Sequence, residues 1–599
     1  MQKTAEVVIV GGGVAGCSVA YHLAKRGCKN VVLLERSELT SGSTWHAAGN
    51  THVLQDNANL SKLHYYTVRL YPQLEEETGQ SCGIHPVGGI YLASTPERHD
   101  QIRIQASKAK YLGLDFQTIS LEDVHEMNPL LNLDGIISAM FEHNELHIDP
   151  SGVTNAYAAG ARMNGVKIHR NTPVTATTQQ PNGGWLVETP EGRIETKYLV
   201  NCAGLWGREV GKLAGINLPL MPMEHQYFVS ESIPEIEALG REIPLIHDND
   251  GEYYMRQEGK GLLVGAYELG GLHWAVDGTP LDFGHELLPN DLDRVLDNVV
   301  RAMDRMPCLE TAGIKRIVNG PMIWTPDLMP LVGEVSQLTN YFVIGGLIPG
   351  FSIGGGLGLM MAEWILDGQP SLDIWPIDVA RFGDWVTHDY VLDTTADNYQ
   401  TRFRLFFPYE ERTAGRPLRT RPAYEHQKDN GAMFGAQFGW EVPMWFAPEG
   451  MPPVENFSFR RTESFGPVGD ECRTIRSSVG LLDTSAYAKF IVKGPRAAEW
   501  LDGLTTNTLP RHRRMSLAPM VHLRGGVVAD FTVARLEDDE FLLIGAGVAE
   551  NAHLRWFRKN GFSSGVDVTS MSVDWVGMSI SGPNSRALLS DLTGEDFSN

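Results

Sequence analysis

Cysteine is rare in this sequence of 599 residues, and an excess of positive charge is absent. The six cysteines lie far apart and form no Cys-x-x-Cys pair, so the spacing predicts neither a disulfide framework nor a zinc site, and a reducing compartment fits best. Lys and Arg number 50 against 73 Asp and Glu, so the formal net charge is −23 at pH 7. Because nucleic-acid binding rests on clustered positive charge, we expect no nucleic-acid partner.

The sequence pattern also lacks a targeting segment and a membrane span. The apolar run AEVVIV begins within a few residues of Met1, with no basic region or cleavage site before it. Residues 341–362 carry no charge, but they include seven glycines and Pro349, whereas a spanning helix needs about 20 mainly apolar, helix-forming residues. We therefore expect no membrane span and a cytoplasmic protein, or a mitochondrial-matrix protein if a transit peptide has been removed.

What the sequence does contain is a nucleotide-binding pattern at its start. A strand, a helix and a second strand are predicted in order at residues 6–10, 17–26 and 31–34. Between the first strand and the helix, Gly11 permits a tight turn, Gly13 lets backbone N–H groups approach a pyrophosphate, and Gly16 allows the helix to pack on the strand. Glu35 follows the second strand, where a carboxylate can accept both ribose hydroxyls. This pattern predicts dinucleotide binding.

Three later segments favour FAD over NAD as that dinucleotide. They are the small-residue loop Thr40–Gly49, the strand and Ala-Gly turn of Tyr198–Trp206, and the strand, glycine-rich loop and helix of Tyr341–Trp364. A nucleotide domain assembled from segments this far apart implies a second domain inserted between them. Within the first segment, His46 could contact the flavin or could be a histidine satisfied by backbone hydrogen bonds.

These residues resemble a known family. SGSTWHAAG (residues 41–49) is similar to the motif of the dimethylglycine and sarcosine dehydrogenases, FAD-dependent amine oxidoreductases of the D-amino-acid oxidase class. Further matching segments are Pro222–Tyr227, Asn319–Asp327, Ala362–Trp364, Gly435–Phe446 (middle domain) and Phe457 onward (folate-binding fold of the glycine-cleavage T-protein). The resemblance implies that His46 bonds covalently to the flavin 8α-methyl group. The other residues expected to bind the cofactor are Gly11, Gly13, Gly16, Glu35, Arg36, Ser43, Thr44, Val174, Ala203, Gly204, Trp206, Gly345 and Gly350.

The predicted fold class is α/β and α+β multidomain, and the length alone suggests about four domains. We expect a Rossmann-like FAD domain with an inserted antiparallel-sheet substrate domain over residues 1–370, followed by a bridging domain and a partial T-protein-like fold. The FAD domain is predicted from about 1–80, 145–215 and 310–370, the substrate domain from about 81–144 and 216–309, the bridging domain at 371–456 and the T-protein-like domain at 457–599.

The predicted substrate residues lie in the inserted domain. Oxidation of an N-methyl group requires a neutral amine, and a histidine suits the control of that proton near neutral pH. His225 is the candidate, with a structural histidine in a strand as the alternative, and the resemblance supplies Tyr267 as its partner. Tyr254 and Arg256 alternate on one strand and so share a face. Either could bind a substrate carboxylate, or both could line a solvated sheet face.

Two other patterns imitate catalytic motifs. His143-Asn-Glu-Leu-His147 resembles a metal cluster, but Asp149-Pro150 ends any helix there, and we expect no metal. Gly350-Phe-Ser352-Ile-Gly354 fits a hydrolase elbow, yet Ser352 lies too far from the preceding strand for the sharp turn that an elbow needs. The better interpretation of this glycine-rich segment is a helix N-terminus that faces the flavin pyrimidine.

In the C-terminal third, Asp530 lies in a hairpin that resembles the T-protein segment whose carboxylate faces the folate ring. An exposed hairpin acid is the alternative. The region after Phe457 is about half as long as the resemblance implies, so we expect an incomplete pocket, with tetrahydrofolate only a possible ligand.

The predicted function is flavin-dependent oxidative demethylation of a small N-methyl amino acid, with dimethylglycine first and sarcosine second. Hydride passes from the N-methyl carbon to flavin N5, and the iminium carbon is released as formaldehyde or passed to tetrahydrofolate. The alternatives are a non-catalytic regulatory subunit on the same fold and an oxidase of another methylamino acid, such as 4-methylaminobutanoate. The electron acceptor is left open between oxygen and an electron-transfer flavoprotein.

Overall fold

The computed structural model describes residues 2–561 and 565–597, which divide into two units. The first unit contains the residues up to Val379 together with Thr387–Leu405, and the second contains Ala380–Val386 and the chain from Phe406 onward. Among the described residues, none of the helices combines the length and the apolar character needed to cross a membrane.

The first unit holds sixteen of the described strands and ten of the described helices. The strands are β1 (Thr4–Val10), β2 (Val31–Leu34), β3 (Gly89–Ala93), β4 (Phe116–Ile119), β5 (Ser138–Glu142), β6 (Lys167–His169), β7 (Ala176–Gln179), β8 (Trp185–Thr189), β9 (Gly192–Asn201), β10 (Met221–Ser230), β11 (Leu245–Asp248), β12 (Tyr253–Glu258), β13 (Gly261–Ala266), β14 (Ile314–Trp324), β15 (Leu331–Glu334) and β16 (Tyr341–Gly345). The helices are α1 (Val14–Lys25), α2 (Ala58–Thr78), α3 (Pro96–Leu112), α4 (Leu121–Met127), α5 (Pro150–Met163), α6 (Gly207–Leu213), α7 (Pro234–Leu239), α8 (Leu296–Arg305), α9 (Gly350–Asp367) and α10 (His388–Gln400).

The strands of this unit form two sheets of different character. The first has the order β15-β16-β9-β1-β2-β6, is parallel from β16 to β6, and carries β8 and β7 beside β9. The second has the order β14-β10-β13-β12-β11-β3-β5-β4 and is antiparallel except between β11 and β3. The first sheet thus contains the predicted βαβ unit, with α1 between β1 and β2.

Apolar side chains and glycines together hold the helices against the first sheet. The last residues of β1 and all of β2 are buried, as expected for strands covered on both faces. Helix α1 packs against α5 and α9. A Cβ at Gly358 of α9 would lie 2.1 Å from Ser18 Oγ of α1, and one at Gly356 would lie 2.7 Å from the Leu63 carbonyl oxygen of α2. The glycine-rich run is therefore mostly helix, and its glycines let neighbouring helices approach closely.

Two predicted boundaries differ from the structure. Strand β14, predicted as part of the FAD domain, belongs to the second sheet because it pairs with β10 from Met221 opposite Trp324 to Ser230 opposite Ile314. Helix α10, predicted in the bridging domain, belongs to the first unit. Tyr399 in its last turn is fully buried there, and Asn398 donates to the Pro326 carbonyl.

The second unit contains the remaining described elements. They are β17 (Ala432–Gln437), β18 (Trp440–Phe446), β19 (Gly480–Asp483), β20 (Ala488–Lys493), β21 (Met515–Val521), β22 (Val527–Glu537), β23 (Glu540–Gly545), β24 (Asp567–Ser570), β25 (Met578–Ser581), α11 (Tyr424–Asp429), α12 (Phe465–Ser477), α13 (Ala497–Leu504), α14 (Glu550–Lys559) and α15 (Ser585–Thr593). Strands β21-β22-β23-β20-β24 form one antiparallel sheet, and β17-β18 and β19-β25 form two-stranded sheets. Phe490, Phe531, Phe541 and Phe557 are fully buried in the core of the larger sheet.

Candidate functional site

The first unit encloses a cavity of about 960 Å³. Its lining comes from the carboxyl ends of β1, β2, β9 and β16 in the first sheet and from β10, β12 and β14 in the second. Ligands of open α/β sheets bind outside the carboxyl ends of the strands. One end of this cavity therefore has the position of a nucleotide site, and the other end faces the antiparallel sheet.

The glycine turn at the nucleotide end leaves no space for side chains. Gly11 has a φ of +113°, and a Cβ there would lie 2.3 Å from the Cys202 carbonyl oxygen. A Cβ at Gly16 would lie 2.0 Å from the Gly11 carbonyl oxygen, and one at Gly13 would lie 3.0 Å from Thr44 Oγ1. The N-terminus of α1 can therefore point its free backbone N–H groups at the cavity, where they suit an anion such as a pyrophosphate.

Two side chains after β2 complete the nucleotide end. Glu35 lines the cavity and accepts hydrogen bonds from the Gly12 and Ser37 N–H groups at 2.7 and 2.8 Å. Burial raises the pKa of this carboxyl. The Arg36 guanidinium lies 3.7 Å from the centroid of the Trp206 ring and donates to the carbonyls of Leu281 and Phe283. Both residues are thus held at the cavity wall by contacts from distant segments.

The segment from Thr40 to Gly49 follows the cavity wall. Thr44 Oγ1 accepts a hydrogen bond from the Val14 N–H group at 3.3 Å, which ties this segment to the start of α1. Ser43 Oγ donates to the Pro321 carbonyl at 2.7 Å and so ties it to β14. Thirteen of the fourteen predicted cofactor residues, including Ser43 and Thr44, line the cavity, and Gly16 supports its wall from behind.

His46 lies where the two ends of the cavity meet. It lines the cavity but is only 7% exposed, and its Nε2 has no hydrogen-bond partner among the described residues. A Cβ at Gly320 would lie 2.5 Å from the imidazole ring, so the ring packs directly on the backbone of β14. Burial lowers the pKa of His46 to about 4. His46 is therefore a neutral imidazole with one unpartnered nitrogen at the cavity wall.

At the other end of the cavity, His225 is surrounded by three tyrosines. Its Nε2 lies 3.0 Å from the Tyr254 hydroxyl, and its Nδ1 lies 3.2 Å from the Tyr399 hydroxyl. Tyr267 stacks on the imidazole with ring centroids 4.6 Å apart and an interplanar angle of 29°. Burial lowers the pKa of His225 to about 3, and the neighbouring His46 and Arg294 act in the same direction. His225 is therefore held as a neutral imidazole.

The structure brings Arg402 to this end, although its sequence context suggested no role. Arg402 follows α10 and lines the cavity beside Tyr267. Burial raises the pKa of Tyr267, and the hydrogen-bonded Arg402 guanidinium opposes that rise. Among the described residues, Arg402 forms no ion pair with a carboxylate. Phe403, Tyr91, His52 and His247 also line this end and were likewise not predicted.

Arg256 does not reach the cavity, which corrects the expectation that it could bind a substrate carboxylate. Its guanidinium donates to the Ala48 carbonyl at 2.9 and 3.1 Å and to Glu258 Oε2 at 2.6 Å. These groups satisfy the charge within the wall. Tyr254 does line the cavity, but its hydroxyl is bonded to His225, and Tyr267 contacts His225 through its ring face rather than by a hydrogen bond.

The two imitations of catalytic motifs have structural explanations. His147 stacks on His85 with centroids 4.3 Å apart and planes within 8°, and Glu242 lies beside them. Because imidazole lone pairs lie in the ring plane, two rings stacked in parallel cannot direct them at one ion. Ser352 is fully buried within α9, and its Oγ accepts the His52 N–H group at 3.0 Å, so it is not presented as a nucleophile.

In the second unit, Asp530 lies on β22 opposite Pro519 of β21. Its side chain is exposed. The geometry is thus that of an accessible acid on a sheet, and it agrees with both interpretations of the sequence.

Comparisons with known proteins agree with this geometry. The family model "FAD dependent oxidoreductase" matches residues 6–364. The chain belongs to this family. Two further models match the remainder, the "FAD dependent oxidoreductase central domain" at 367–420 and the "GCVT N-terminal domain" at 423–599. The hairpin β17–β18, which the resemblance placed in the middle domain, thus lies within the GCVT match.

Sequence comparison with individual proteins shows which members of the family the chain resembles. It is 42% identical to mitochondrial dimethylglycine dehydrogenase of Rattus norvegicus, over 99% of this chain and 70% of the relative. It is 33% identical to mitochondrial sarcosine dehydrogenase of Homo sapiens, over 100% of this chain and 70% of the relative. Among solved structures, L-proline dehydrogenase from P. horikoshii is 25% identical, with a TM-score of 0.56 over 64% of this chain and 98% of that one.

These findings confirm the resemblance, the fold class and the prediction of an FAD-dependent oxidoreductase that acts on CH–NH donors. The fold accounts for the match, because the parallel sheet supplies the nucleotide end of the cavity and the antiparallel sheet supplies the opposite end. The matched GCVT region agrees with the predicted T-protein-like fold.

Proposed function

We propose that this protein oxidatively demethylates a small N-methyl amino acid, with dimethylglycine as the first candidate substrate and sarcosine as the second. The observation that carries the proposal is the pair of groups at one end of the cavity. A neutral histidine, His225, and a guanidinium, Arg402, both line the cavity and both contact Tyr267, and Arg402 has no acidic partner among the described residues. An amino acid presents an amine and a carboxylate. His225 suits the amine, and Arg402 suits the carboxylate.

The residues at the nucleotide end suit FAD. The N-terminus of α1 and Thr44 would face the pyrophosphate, Glu35 the ribose, and the N-terminus of α9 at Gly350 the pyrimidine ring. We propose that His46 attaches the flavin covalently, since its buried Nε2 is unpartnered. When bound, FAD accepts the hydride that leaves the N-methyl carbon.

The residues around His225 control the substrate proton. Tyr254 lines the cavity and its hydroxyl is bonded to His225 Nε2, so we propose that an amine proton passes to Tyr254 while the Tyr254 proton passes to the imidazole. Arg402 holds the carboxylate, which a guanidinium can bind through two hydrogen bonds. Tyr267 stacks on His225 and is hydrogen-bonded to Arg402, so it fixes the separation of these two side chains.

The fate of the carbon and the electrons is a second part of the proposal. The iminium carbon is hydrolysed to formaldehyde or passed to tetrahydrofolate, in which case Asp530 of the GCVT-matching region contacts the folate ring. Oxygen or an electron-transfer flavoprotein accepts the electrons. All six cysteines are free thiols, which supports a reducing compartment, either the cytoplasm or the mitochondrial matrix.

The test is reduction of the flavin-loaded protein without oxygen. Dimethylglycine, sarcosine and 4-methylaminobutanoate are mixed with it in turn, and the loss of flavin absorbance is followed. We expect dimethylglycine to give the largest kcat/KM, since discrimination between substrates appears in that ratio. His225→Gln should slow the reduction about 10²-fold, whereas His273→Gln, a half-buried histidine bonded to Thr395, should not. If no N-methyl amine bleaches the flavin, the proposal is wrong, and a regulatory subunit becomes the better hypothesis.

A further inference from the structure

The Tyr399 hydroxyl lies between His225 and a buried carboxylate. It is 3.2 Å from His225 Nδ1 and donates to Glu268 Oε2 at 2.7 Å. Glu268 is 1% exposed, and its other oxygen accepts a hydrogen bond from Arg294 Nε at 2.6 Å. Arg294 also bonds to Glu224. A chain of hydrogen-bonded polar groups therefore runs from the His225 imidazole to charged residues that do not line the cavity.

The hydrogen bonds of this chain determine where the protons lie. A carboxylate paired with a guanidinium can only accept, so Tyr399 must use its single proton on Glu268. The Tyr399 oxygen is then an acceptor for His225, and Nδ1 must carry the imidazole proton. A neutral imidazole carries only one proton, so Nε2 is bare and accepts from Tyr254.

We infer that Glu268, acting through Tyr399, is a positioning residue that holds His225 in the Nδ1–H tautomer and so keeps Nε2 available to take up the substrate proton. This inference rests on the proposed function and deepens it. The amine N–H bond breaks as a bond to the Tyr254 oxygen forms, and the Tyr254 proton moves to His225 Nε2. The imidazolium that results keeps Nδ1–H bonded to Tyr399, whose hydroxyl stays bonded to Glu268.

The other groups around His225 cannot replace Glu268 in this role. The titratable and charged neighbours that face the ring or its hydroxyl partners are His46, Glu224, Tyr227, Tyr254, Arg256, Tyr267, Glu268, Arg294, Tyr399 and Arg402. Of the other carboxylates of this region, Glu224 bonds to Arg294 and Asn319, and Glu258 bonds to Arg256, whereas Glu268 bonds to Tyr399 as well as to Arg294. Glu268 is therefore the carboxylate that is linked to His225 Nδ1 through one hydroxyl group, that of Tyr399.

The first experiment measures flavin reduction at saturating dimethylglycine as a function of pH in the flavin-loaded protein and in Tyr399→Phe. We expect the variant to be slower by on the order of 10²-fold near neutral pH and to approach the wild-type rate at high pH, where the bound amine loses its proton to water. Tyr253→Phe is the matched control, because it also removes a buried hydroxyl bonded to a carboxylate, Asp248, but outside the cavity.

Two further variants separate positioning from packing. Glu268→Gln should show the same pH-dependent loss, and Tyr399→Phe added to His225→Gln should cost little more than His225→Gln alone, since both act on one proton. A loss that is equal at every pH, or losses that add in the double variant, would overturn the inference in favour of a structural role.

The tautomer itself is measured by ¹⁵N NMR of histidine-labelled protein, with His225→Gln used to identify the His225 signals. Wild type should show a protonated Nδ1 and a bare Nε2, and Tyr399→Phe should shift the proton toward Nε2. A wild-type Nε2–H tautomer would contradict the inference even if the enzyme is active. Failure of every N-methyl amine to bleach the wild type would instead contradict the proposed function, and the NMR result would still report on the tautomer.

Discussion

The two units of this protein treat polar side chains in different ways. In the first unit, buried imidazoles and phenols and a partly buried guanidinium surround a cavity of about 960 Å³, and the hydrogen bonds of His225 come from β12 and from α10. In the second, the main core contains mostly phenylalanines and aliphatic residues, with one buried histidine, His553, packed against their rings, and the predicted functional acid, Asp530, is exposed. Buried polar groups are costly unless they are paired. The comparison therefore indicates that the chemistry of the first unit depends on preorganised contacts, and that removing one contact there has large effects.

The largest effect is expected from His46→Ala. If His46 carries the flavin, acid precipitation of the wild-type protein leaves a yellow pellet, and the variant leaves a colourless one because the attachment site is gone. His285→Ala is the control, since His285 also contacts Trp45 but is exposed and does not line the cavity. A yellow pellet from His46→Ala would show that another residue carries the flavin.

The next largest effect is expected from Arg402→Met. Loss of a charge-assisted contact with the substrate carboxylate should raise KM by about 10- to 100-fold. Arg402→Lys keeps the positive charge but cannot form two parallel hydrogen bonds to the carboxylate, so its KM should lie between those of wild type and Arg402→Met. The measurement is steady-state kinetics with dimethylglycine beside an N-methyl amine that has no carboxylate. Equal losses with both amines would contradict carboxylate binding.

A smaller effect concerns stability in acid. Burial lowers the pKa of His22 and of His64 from 6.5 to about 4, so between these values the unfolded chain binds more protons than the folded one. Stability should fall as the pH drops below about 6.5, by about 1 kcal/mol per pH unit for each such histidine.

Urea unfolding at about pH 7 and about pH 5.5 checks this expectation. The variant His64→Asn can still donate to the His52 carbonyl, a bond that His64 Nδ1 makes at 2.8 Å, but it does not titrate. Its unfolding free energy should depend less on pH than that of wild type. An unchanged pH dependence would show that His64 is not held neutral.

The smallest effect on flavin reduction is expected from Asp530→Asn in the second unit. The rate of reduction by dimethylglycine should stay within about twofold of wild type, as for exposed substitutions away from such contacts. If tetrahydrofolate accepts the carbon, the variant should release more of it as formaldehyde when folate is present. A slower reduction in Asp530→Asn would break the proposed separation of roles between the units.

The parts of the site that could be predicted are those with local sequence signals. The glycine turn, Glu35 and the loop that contains His46 lie within the first fifty residues, where spacing along one βαβ unit determines their positions. Tyr399 and Arg402 carry no such signal, because they lie more than one hundred residues after β13 and are brought to His225 and the cavity by tertiary packing. Arg256 was misjudged for a related reason. Strand alternation correctly placed it on the face of Tyr254, but the Ala48 carbonyl that binds it belongs to another segment.

The sequence by itself predicted dinucleotide binding, since the periodicity and turn chemistry of short segments carry that information, and its motifs carried the resemblance to the flavin-dependent amine oxidoreductases that the relatives confirm. Tertiary structure alone decided which hydroxyl contacts each nitrogen of His225, which arginine faces the cavity and which sheet receives β14. These outcomes depend on hydrogen bonds and packing between residues that lie 29 to 174 positions apart, which no local pattern specifies.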